Sequence, residues 1–243
     1  MKAHRSLQRL VRFFLSIFLP ERCPLCGEEP PMDDSPDMFC KNCLMSMQFI
    51  HGKPCPVCGG DINGIFDTCP DCLAEPARPW KRAYAIFRYK EGAAVAVRKF
   101  KYGKEVALAR PFGRLLAGTI EHPEQYSEIV PVPLHWIRFI QRGYNQSVLL
   151  GEELSRWTGI PLKRRLKRIR NTKHQAFLEK EERKTNIKGA FSVRYPEQIK
   201  GKRVLLIDDV MTTGSTLAEC AEILTNAGAI VDIAIIARRQ TRM

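Results

Sequence analysis

The stretch VLLIDDVMTTGST, residues 204–216, decides which fold the chain adopts. Its four leading apolar residues predict a short buried strand with two adjacent carboxylates, Asp208 and Asp209, at its C-terminal end. A loop of small hydroxylated residues and one glycine follows, and residues 217–224 predict a helix. In an α/β protein this order builds a site for a phosphorylated sugar, because backbone N–H groups receive the phosphate and carboxylates accept hydrogen bonds from sugar hydroxyls. The alternative is an ordinary strand–turn–helix in which the aspartates cap a turn.

Eight of the nine cysteines form four C-x-x-C pairs, which predict a double zinc ribbon over residues 23–75. A C-x-x-C turn aims two sulfurs at one point, and Zn²⁺ takes four sulfurs in a tetrahedron. The internal repeat, CPLCG with CKNCL and then CPVCG with CPDCL, favours sequential pairing over a cross-braced arrangement. The predicted zinc ligands are Cys23, Cys26, Cys40 and Cys43 for the first site and Cys55, Cys58, Cys69 and Cys72 for the second.

Other uses of these cysteines fit the sequence less well. Disulfides need an oxidising compartment, which nothing else in the chain suggests. A redox C-x-x-C would occur once rather than four times. Since four protein ligands leave no open position on the metal, the two zinc ions are predicted to be structural. The ninth cysteine, Cys220, is expected to pack as a small apolar residue in the helix after the loop.

Composition describes a globular protein with a basic surface. The 243 residues suffice for one full domain and a small one, with 44% hydrophobic and 27% charged residues. The formal net charge is +13, and two Zn²⁺ ions with eight thiolates would lower it to about +9. A basic excess indicates a polyanionic partner, although solubility alone explains part of it.

Residues 1–22 are predicted to form an amphipathic N-terminal helix. No apolar run in the chain approaches the roughly 18 residues that cross a bilayer, so an integral membrane protein is not expected. Arg9 and Arg12 interrupt the apolar stretch, and no small-residue cleavage site precedes Cys23, which argues against a signal peptide. We expect this helix to dock on the rest of the protein rather than to lie on a membrane surface.

Residues 80–243 are predicted to form an α/β domain after a linker at 76–79. Alternating strands and helices predict a mostly parallel sheet with helices on its faces, with the loop at the carboxyl ends of the strands. Asn145 is expected to cap a helix that Gly159 ends, and Pro111 to displace the start of another. The predicted strands are 84–89, 128–132, 203–208 and 230–237, and the predicted helices are 93–102, 107–120, 145–157 and 213–227.

Two further segments carry polar motifs. The first begins as PVPLH at 131–135 and leads to RGYNQ at 142–146, where Arg142 can form a bidentate contact with an anion and Gly143 lets backbone approach a ligand. The second contains TKHQ at 172–175 and NIKGAF at 186–191.

Together these motifs resemble those of type I phosphoribosyltransferases, which use phosphoribosyl pyrophosphate (PRPP). The resemblance implies catalytic roles for Asp208 and Asp209 on the ribose hydroxyls and for Arg142 on the pyrophosphate, with Mg²⁺ accompanying PRPP. It also implies that the second segment holds a mobile catalytic loop and a return strand. The residues implied to bind the 5-phosphate are Thr212, Thr213, Gly214, Ser215 and Thr216.

With the zinc ribbon included, residues 20–238 more narrowly resemble the ComF family of competence proteins. This resemblance implies a cytoplasmic protein that handles incoming single-stranded DNA in natural transformation, with a DNA-translocating helicase as a candidate partner. Two activities stay open: phosphoribosyl transfer to an unknown acceptor, or a non-catalytic PRPP-sensing adaptor that binds single-stranded DNA for a helicase or recombination partner. Glutamine-dependent amidotransfer is excluded, because it needs a nucleophilic cysteine at the mature N-terminus and Cys23 is a predicted zinc ligand; ammonia as acceptor stays open.

The segment 163–170, KRRLKRIR, has six basic residues in eight and is a candidate contact for DNA. The alternative is a solvated basic strand close to the pyrophosphate. The residues expected to extend this surface are Lys81, Arg82, Arg98, Lys99 and Lys101, with Phe100 and Tyr102 available for base stacking.

Overall fold

The computed structural model describes residues 22–28, 39–62, 66–75, 77–170 and 187–240. Residues 1–21 of the predicted N-terminal helix, and the TKHQ segment within 171–186, lie outside these ranges. Within them, no helix has both the length and the apolar character needed to cross a membrane.

The strands are β1 (Ala83–Arg88), β2 (Glu128–Pro131), β3 (Leu166–Arg168), β4 (Phe191–Val193), β5 (Arg203–Met211) and β6 (Ile230–Arg238). The helices are α1 (Lys41–Met45), α2 (Pro70–Leu73), α3 (Glu91–Tyr102), α4 (Ala109–Ala117), α5 (Trp136–Arg142), α6 (Gln146–Thr158) and α7 (Ser215–Asn226). Short 3-10 turns occupy Val106–Leu108, Pro123–Gln125 and Pro196–Gln198.

A parallel sheet with the strand order β1-β6-β5-β2 forms the centre of the second domain, as predicted. Beyond β2, Leu162 forms a single parallel bridge with Ile129. Strands β3 and β4 make a separate antiparallel pair. Because the four central strands are parallel, their carboxyl ends meet at one edge of the sheet.

Alternate side chains of the sheet enter two apolar clusters, one on each face. Leu205 and Ile207 of β5 join the cluster that includes residues of α3, α4 and α6, whereas Val204 and Leu206 join the one that includes residues of α7. Burial on both faces explains why the first half of β5 is a continuous apolar run. Cys220 of α7 is fully buried in the second cluster, as expected.

Two helix boundaries confirm the sequence-based predictions. Asn145 caps α6 by accepting a hydrogen bond from the N–H of Ser147, and Gly159 ends it with φ of 77°. Helix α4 begins at Ala109 after a 3-10 turn, so Pro111 lies in its first turn, where a missing N–H breaks no helical hydrogen bond.

The predicted end of β5 was wrong. The strand continues beyond Asp208 to Met211, because β6 also continues and pairs Val210 with Ala237 and Met211 with Arg238. The acidic pair therefore lies inside the last part of the strand. Helix α5 was not predicted: it is only seven residues long, and none of its residues is buried although four of them are apolar.

The four C-x-x-C pairs fold into two four-cysteine clusters, in the sequential pairing that the repeat predicts. Within each cluster the sulfur atoms all lie within 4.8 Å of one another. Four thiolates at such spacing fit a structural Zn²⁺. We call residues 22–47, as far as they are described, the first ribbon and residues 54–75 the second ribbon. Gly27 and Gly59 adopt left-handed turns with φ of 79° and 70°.

The first ribbon packs on the helices and leads into a segment that covers the sheet edge. The ring centroids of Phe39 and Phe112 lie 5.3 Å apart. Residues 48–50 then run antiparallel to β1, with a bridge between Phe49 and Phe87 and a 2.9 Å hydrogen bond from the N–H of Ile50 to the carbonyl of Ile86.

The second ribbon packs at the carboxyl ends of β1 and β6. Asp61 receives two hydrogen bonds from Arg88, at 2.6 and 2.9 Å, and its backbone exchanges hydrogen bonds with the Gln240 side chain. Trp80 donates from Nε1 to the carbonyl of Val57 at 2.7 Å. The Asp61 contacts hold the second ribbon beside the edge of the sheet where ligands bind in such folds, and the Trp80 bond ties it to the segment before β1.

Candidate functional site

An open cavity of about 310 Å³ lies at the carboxyl ends of the central strands. Strand β5, the loop after it, and the junction of α5 and α6 all contribute to its walls. Residues that are distant in the sequence meet here because parallel strands end at the same edge. Every residue predicted to act on PRPP lines this cavity: Asp208, Asp209, Arg142, Thr212, Thr213, Gly214, Ser215 and Thr216.

The two adjacent acids have different surroundings. Asp209 is 6% exposed, and its Oδ1 forms an ion pair with Nζ of Lys101 at 2.8 Å. Oδ1 of Asp208 accepts hydrogen bonds from Oγ of Ser147 and from the N–H of Asp209, both at 2.9 Å. Burial, with a further contribution from the charge of Asp209, raises the pKa of Asp208 to about 7. Asp208 is thus an acid that changes charge near neutral pH.

Lys101 belongs to the cavity, so its predicted place on an exposed DNA surface was wrong. Burial alone would lower the pKa of Lys101, but the charges of Asp209 and Asp208 raise it, so the ammonium stays protonated. Lys101 follows the buried Val97 by four residues and therefore lies on the same face of α3. That periodicity was the sequence signal that could have located it.

The loop after β5 presents a helix terminus to the cavity. Gly214 precedes α7 with φ of 78°, and the N–H groups of the first turn of α7 have no partner within the helix. Thr213 and Ser215 share a 2.9 Å hydrogen bond between their hydroxyls. A side chain at Gly214 would begin 3.2 Å from the Met211 sulfur and 3.3 Å from a guanidinium nitrogen of Arg78. This geometry suits the binding of a phosphate.

Arg238, the last residue of β6, donates hydrogen bonds to the backbone at the start of this loop. This role was not predicted from the sequence. Its Nη1 donates to the carbonyl of Met211 at 3.1 Å and also to the carbonyl of Thr212. Its Nη2 forms an ion pair with Asp71 at 3.3 Å, and both side chains are buried. Asp71 lies between the ligands Cys69 and Cys72, so the second ribbon reaches the loop through one buried ion pair.

The RGYNQ segment fixes the neighbouring walls. The Tyr144 hydroxyl donates to the carbonyl of Phe100 at 2.6 Å, and Nε2 of Gln146 donates to the carbonyl of Lys101 at 3.3 Å. The Arg142 guanidinium lies 4.8 Å from the centroid of the Tyr102 ring. Tyr144 and Gln146 thereby position the end of α3, while Arg142 presents its charge to the cavity.

Three further arginines, Arg138, Arg168 and Arg239, line the cavity together with Arg142. Burial and the charge of Arg142 lower the pKa of Arg138. Burial, followed by the charge of Arg138, lowers the pKa of Arg168 to about 10. Like charges gathered in one cavity indicate an anionic ligand. The four-residue spacing of Arg138 and Arg142 was visible in the sequence, but the helix that puts them on one face was not predicted, and nothing local shows that β3 brings Arg168 there.

The basic segment 163–170 divides its charges among several roles. Arg165 is buried in a two-fold contact with Glu128, at 2.7 and 2.8 Å. Lys163, Arg164 and Lys167 remain exposed. Among the predicted stacking residues Tyr102 is exposed, but Phe100 is fully buried in the core, so that part of the prediction was wrong.

Comparisons with known proteins agree with this architecture. Residues 14–75 match the double zinc ribbon domain, and residues 145–243 match the phosphoribosyl transferase domain. Competence protein F of Haemophilus influenzae is 35% identical over 183 residues, which cover 72% of this chain and 79% of that protein. The chain belongs to the ComF family of competence proteins. Both the predicted family and the predicted fold, a parallel α/β phosphoribosyltransferase-type domain after a double zinc ribbon, are thereby confirmed.

Two other relatives of this ComF-family protein have similar coverage. The DNA utilization protein YhgH of Escherichia coli K12 is 35% identical over 182 residues, 72% of this chain and 79% of that protein. Competence protein ComFC of Bacillus subtilis is 27% identical over 199 residues, 79% of this chain and 80% of that protein. The phosphoribosyl transferase match begins at residue 145, so it includes both acids and the loop but not Lys101, Arg138 or Arg142.

Proposed function

We propose that this protein binds PRPP with Mg²⁺ in the cavity and transfers its phosphoribosyl group to an acceptor during natural transformation. One observation carries the proposal: an acidic pair and a hydroxyl-rich helix terminus face the same cavity as four arginines. Such a cavity offers separate partners for sugar hydroxyls and for phosphate groups. The names of the relatives, competence proteins and a DNA utilization protein, support a role in DNA uptake.

In the proposed complex, Asp208 and Asp209 accept hydrogen bonds from the ribose hydroxyls and the N–H groups of the 212–216 loop surround the 5-phosphate. Arg142, with Arg138 beside it, faces the pyrophosphate. The carboxylate of Asp208 suits a cation that prefers oxygen ligands, and Mg²⁺ carried by the ligand would offset the charge of the leaving pyrophosphate.

The residues act mainly by position and charge. The bond between the anomeric carbon and the pyrophosphate oxygen breaks, and pyrophosphate keeps its electron pair. The acceptor supplies the pair for the new bond and releases its proton to solvent. Positive charge develops on the sugar in an oxocarbenium-like state, close to the two aspartates that would stabilise it. Arg142 and Arg138 would stabilise the negative charge of the leaving group.

We further propose that single-stranded DNA runs over the exposed cations Lys163, Arg164 and Lys167, beside the cavity. Contact with the phosphate backbone makes affinity fall with salt. Lys167→Gln should weaken binding for all sequences equally and reduce the salt slope by about one. Binding that is weak and insensitive to salt would contradict this surface.

A PRPP-sensing adaptor without turnover is the second candidate. The contact that favours it is the ion pair between Lys101 and Asp209, which offsets negative charge that transfer would use to stabilise the oxocarbenium-like state. A sensor needs PRPP to bind, and needs no acceptor. A helicase or recombination protein would then respond to the PRPP-bound form.

The deciding experiment measures pyrophosphate release from PRPP and Mg²⁺, with and without single-stranded DNA, together with PRPP binding by calorimetry. Asp208→Asn should abolish release, because the variant cannot form the carboxylate. It should not unfold the protein, because a neutral side chain of equal size replaces an acid that is half protonated near pH 7. Glu222→Gln, an exposed position on α7, is the matched control and should behave as the parent. Binding without release would select the sensor, and absence of binding would refute both candidates.

A further inference from the structure

A second cavity, of about 590 Å³, lies between the second ribbon, helix α3 and the carboxyl ends of β1 and β6. We call it the ribbon cavity. Asp61 is the acidic residue in its described lining. The cations that line it are Arg88, Lys90, Arg98, Arg238 and Arg239.

Protein contacts use only part of this positive charge. Arg88 is engaged by Asp61, and Arg238 by Asp71 and the loop carbonyls. Arg98 and Arg239 form no side-chain hydrogen bond or ion pair with any residue that the structure describes. Two guanidinium groups without a protein counter-charge, in a cavity with other cations, favour an anionic ligand.

The ribbon cavity adjoins the cavity described above. Tyr89 and Arg239 line both, so a ligand in either one has the other as its neighbour across a shared wall. The volume is far larger than one phosphate group needs and lies within the range of about 300–1,000 Å³ that is typical for small-molecule sites. Tyr89, half-buried between the two cavities, offers an aromatic face on which a base can stack.

We propose that the ribbon cavity binds a nucleotide, free or at the phosphorylated end of a strand, with Arg98 and Arg239 on its phosphate and Tyr89 on its base. This site is distinct from the exposed segment 163–170. A nucleotide here lies next to PRPP, as an acceptor or an effector of the transfer would. That placement rests on the proposed function, whereas nucleotide binding itself rests on the charges of the ribbon cavity.

The test uses the full zinc-loaded chain with saturating PRPP and Mg²⁺, so that the first cavity is filled. The probes are adenosine monophosphate and a fluorescent thymidine pentanucleotide with either a 5′-phosphate or a 5′-hydroxyl. Arg98→Gln should weaken binding of the phosphorylated probe about tenfold, because it removes a charge-assisted hydrogen bond. Arg98→Lys, which keeps the charge, should restore part of the loss.

Lys202→Gln is the matched control, since it removes one exposed charge at the opposite edge of the sheet. Lys202→Gln should leave probe binding unchanged. Neither Lys202→Gln nor Arg98→Gln should alter the affinity for PRPP. Binding of adenosine monophosphate would identify a free nucleotide as the ligand, and binding of the 5′-phosphorylated strand alone would identify a strand end.

Three results would overturn the inference: no effect of Arg98→Gln, displacement of the probe by PRPP, or equal binding of the 5′-hydroxyl strand. If PRPP itself fails to bind, the proposed function falls. Binding of the phosphorylated probe that depends on Arg98 would still establish the ribbon cavity as a nucleotide site.

Discussion

The two zinc ribbons repeat one sequence pattern, yet they contact opposite faces of the sheet. Cys23 and Cys40 of the first ribbon join the apolar cluster of α3, α4 and α6. The four cysteines of the second ribbon join the other cluster, together with Met211 and Leu217, which flank the 212–216 loop. A repeated metal-binding unit can thus support the core in one copy and the loop after β5 in the other.

The two ribbons also differ in how exposed their cysteines are and in which part of the α/β domain they contact. Cys26 of the first ribbon is exposed, whereas Cys58 of the second is 1% exposed. The first ribbon contacts α3 through Lys99, which donates to the carbonyl of Leu25 at 2.8 Å. The second contacts the loop itself through Asp71 and Arg238. Matched substitutions in the two ribbons therefore test whether this division of roles holds.

The largest difference is expected between Cys58→Ser and Cys26→Ser. Each should remove one of two zinc ions, measured by metal analysis. Loss of the buried second site should lower the free energy of unfolding by on the order of 5 kcal/mol and abolish PRPP binding, because metal-binding energy in small ribbons is folding energy. Cys26→Ser should lose less stability and keep PRPP binding. Equal loss of PRPP affinity in both variants would show that the two ribbons do not differ in their support of the loop.

A smaller difference is expected between Asp71→Asn and Asp67→Asn. Asp71→Asn leaves the buried Arg238 without its carboxylate and should cost about 3 kcal/mol of stability, with weaker PRPP binding because the loop loses its support. Asp67 lies in the same ribbon, exposed and paired with Lys53, so its neutralisation should change neither quantity. Calorimetry measures the affinity for PRPP, and urea unfolding measures the stability. An Asp71→Asn protein with parental PRPP affinity would show that the ion pair does not position the loop.

Replacing the turn glycine by alanine should lower the free energy of unfolding by about 2 kcal/mol more in the second ribbon than in the first. Gly27→Ala and Gly59→Ala both place a side chain in the left-handed region, at a cost of roughly 1–2 kcal/mol each. At Gly59 the new Cβ would also lie 3.0 Å from that of Ala85 in β1, whereas at Gly27 it meets nothing within 4 Å. The added crowding should cost a further 1–3 kcal/mol, roughly. Equal unfolding midpoints in urea would show that the second ribbon is not held tightly against β1.

The smallest effect is the pH dependence of PRPP affinity. It tests whether the loop and the two acids contribute to binding independently. The pKa of Asp208 is raised to about 7 from a usual value of 3.8, so the folded protein holds an extra proton between these values and this group's contribution to stability falls as pH rises through them. In the proposed complex PRPP binds the ionised form. Its affinity should rise about tenfold per pH unit below 7 and then level off.

Calorimetric titrations from pH 6 to 8 measure this profile, and Asp208→Asn controls for titration of PRPP itself. Asp71→Asn should shift the whole curve to weaker binding and keep its shape, because Asp71 acts through the loop. A flattened curve in Asp71→Asn would mean that the second ribbon also alters the charge of Asp208.

The sequence predicted what is encoded locally. The β5 strand, the acidic pair, the loop and α7 are consecutive, so four buried apolar residues and one glycine suffice to place them. The zinc clusters were predictable for the same reason, since each knuckle sets its own geometry.

Residues brought in by tertiary packing were not predictable in the same way. Arg238 ends a strand of apolar residues, and nothing near it indicates that its guanidinium turns toward a knuckle 167 positions earlier. Phe100 and Lys101 are adjacent on α3, yet one is in the core and the other in the cavity. Helical periodicity places both residues near the buried side of α3, but which of them reaches the cavity depends on how α3 rotates against the sheet.

The segment between the ribbons also affects solubility. Strand β1 is one of the two outer strands of the sheet, and an uncovered edge is a template for pairing with another molecule. Residues 48–50 occupy that position through the Phe49–Phe87 bridge, and they are held there by a ribbon at either end. Removal of zinc would therefore free a strand edge as well as eight thiols, and zinc-depleted protein should be lost to intermolecular sheet formation before its central domain unfolds.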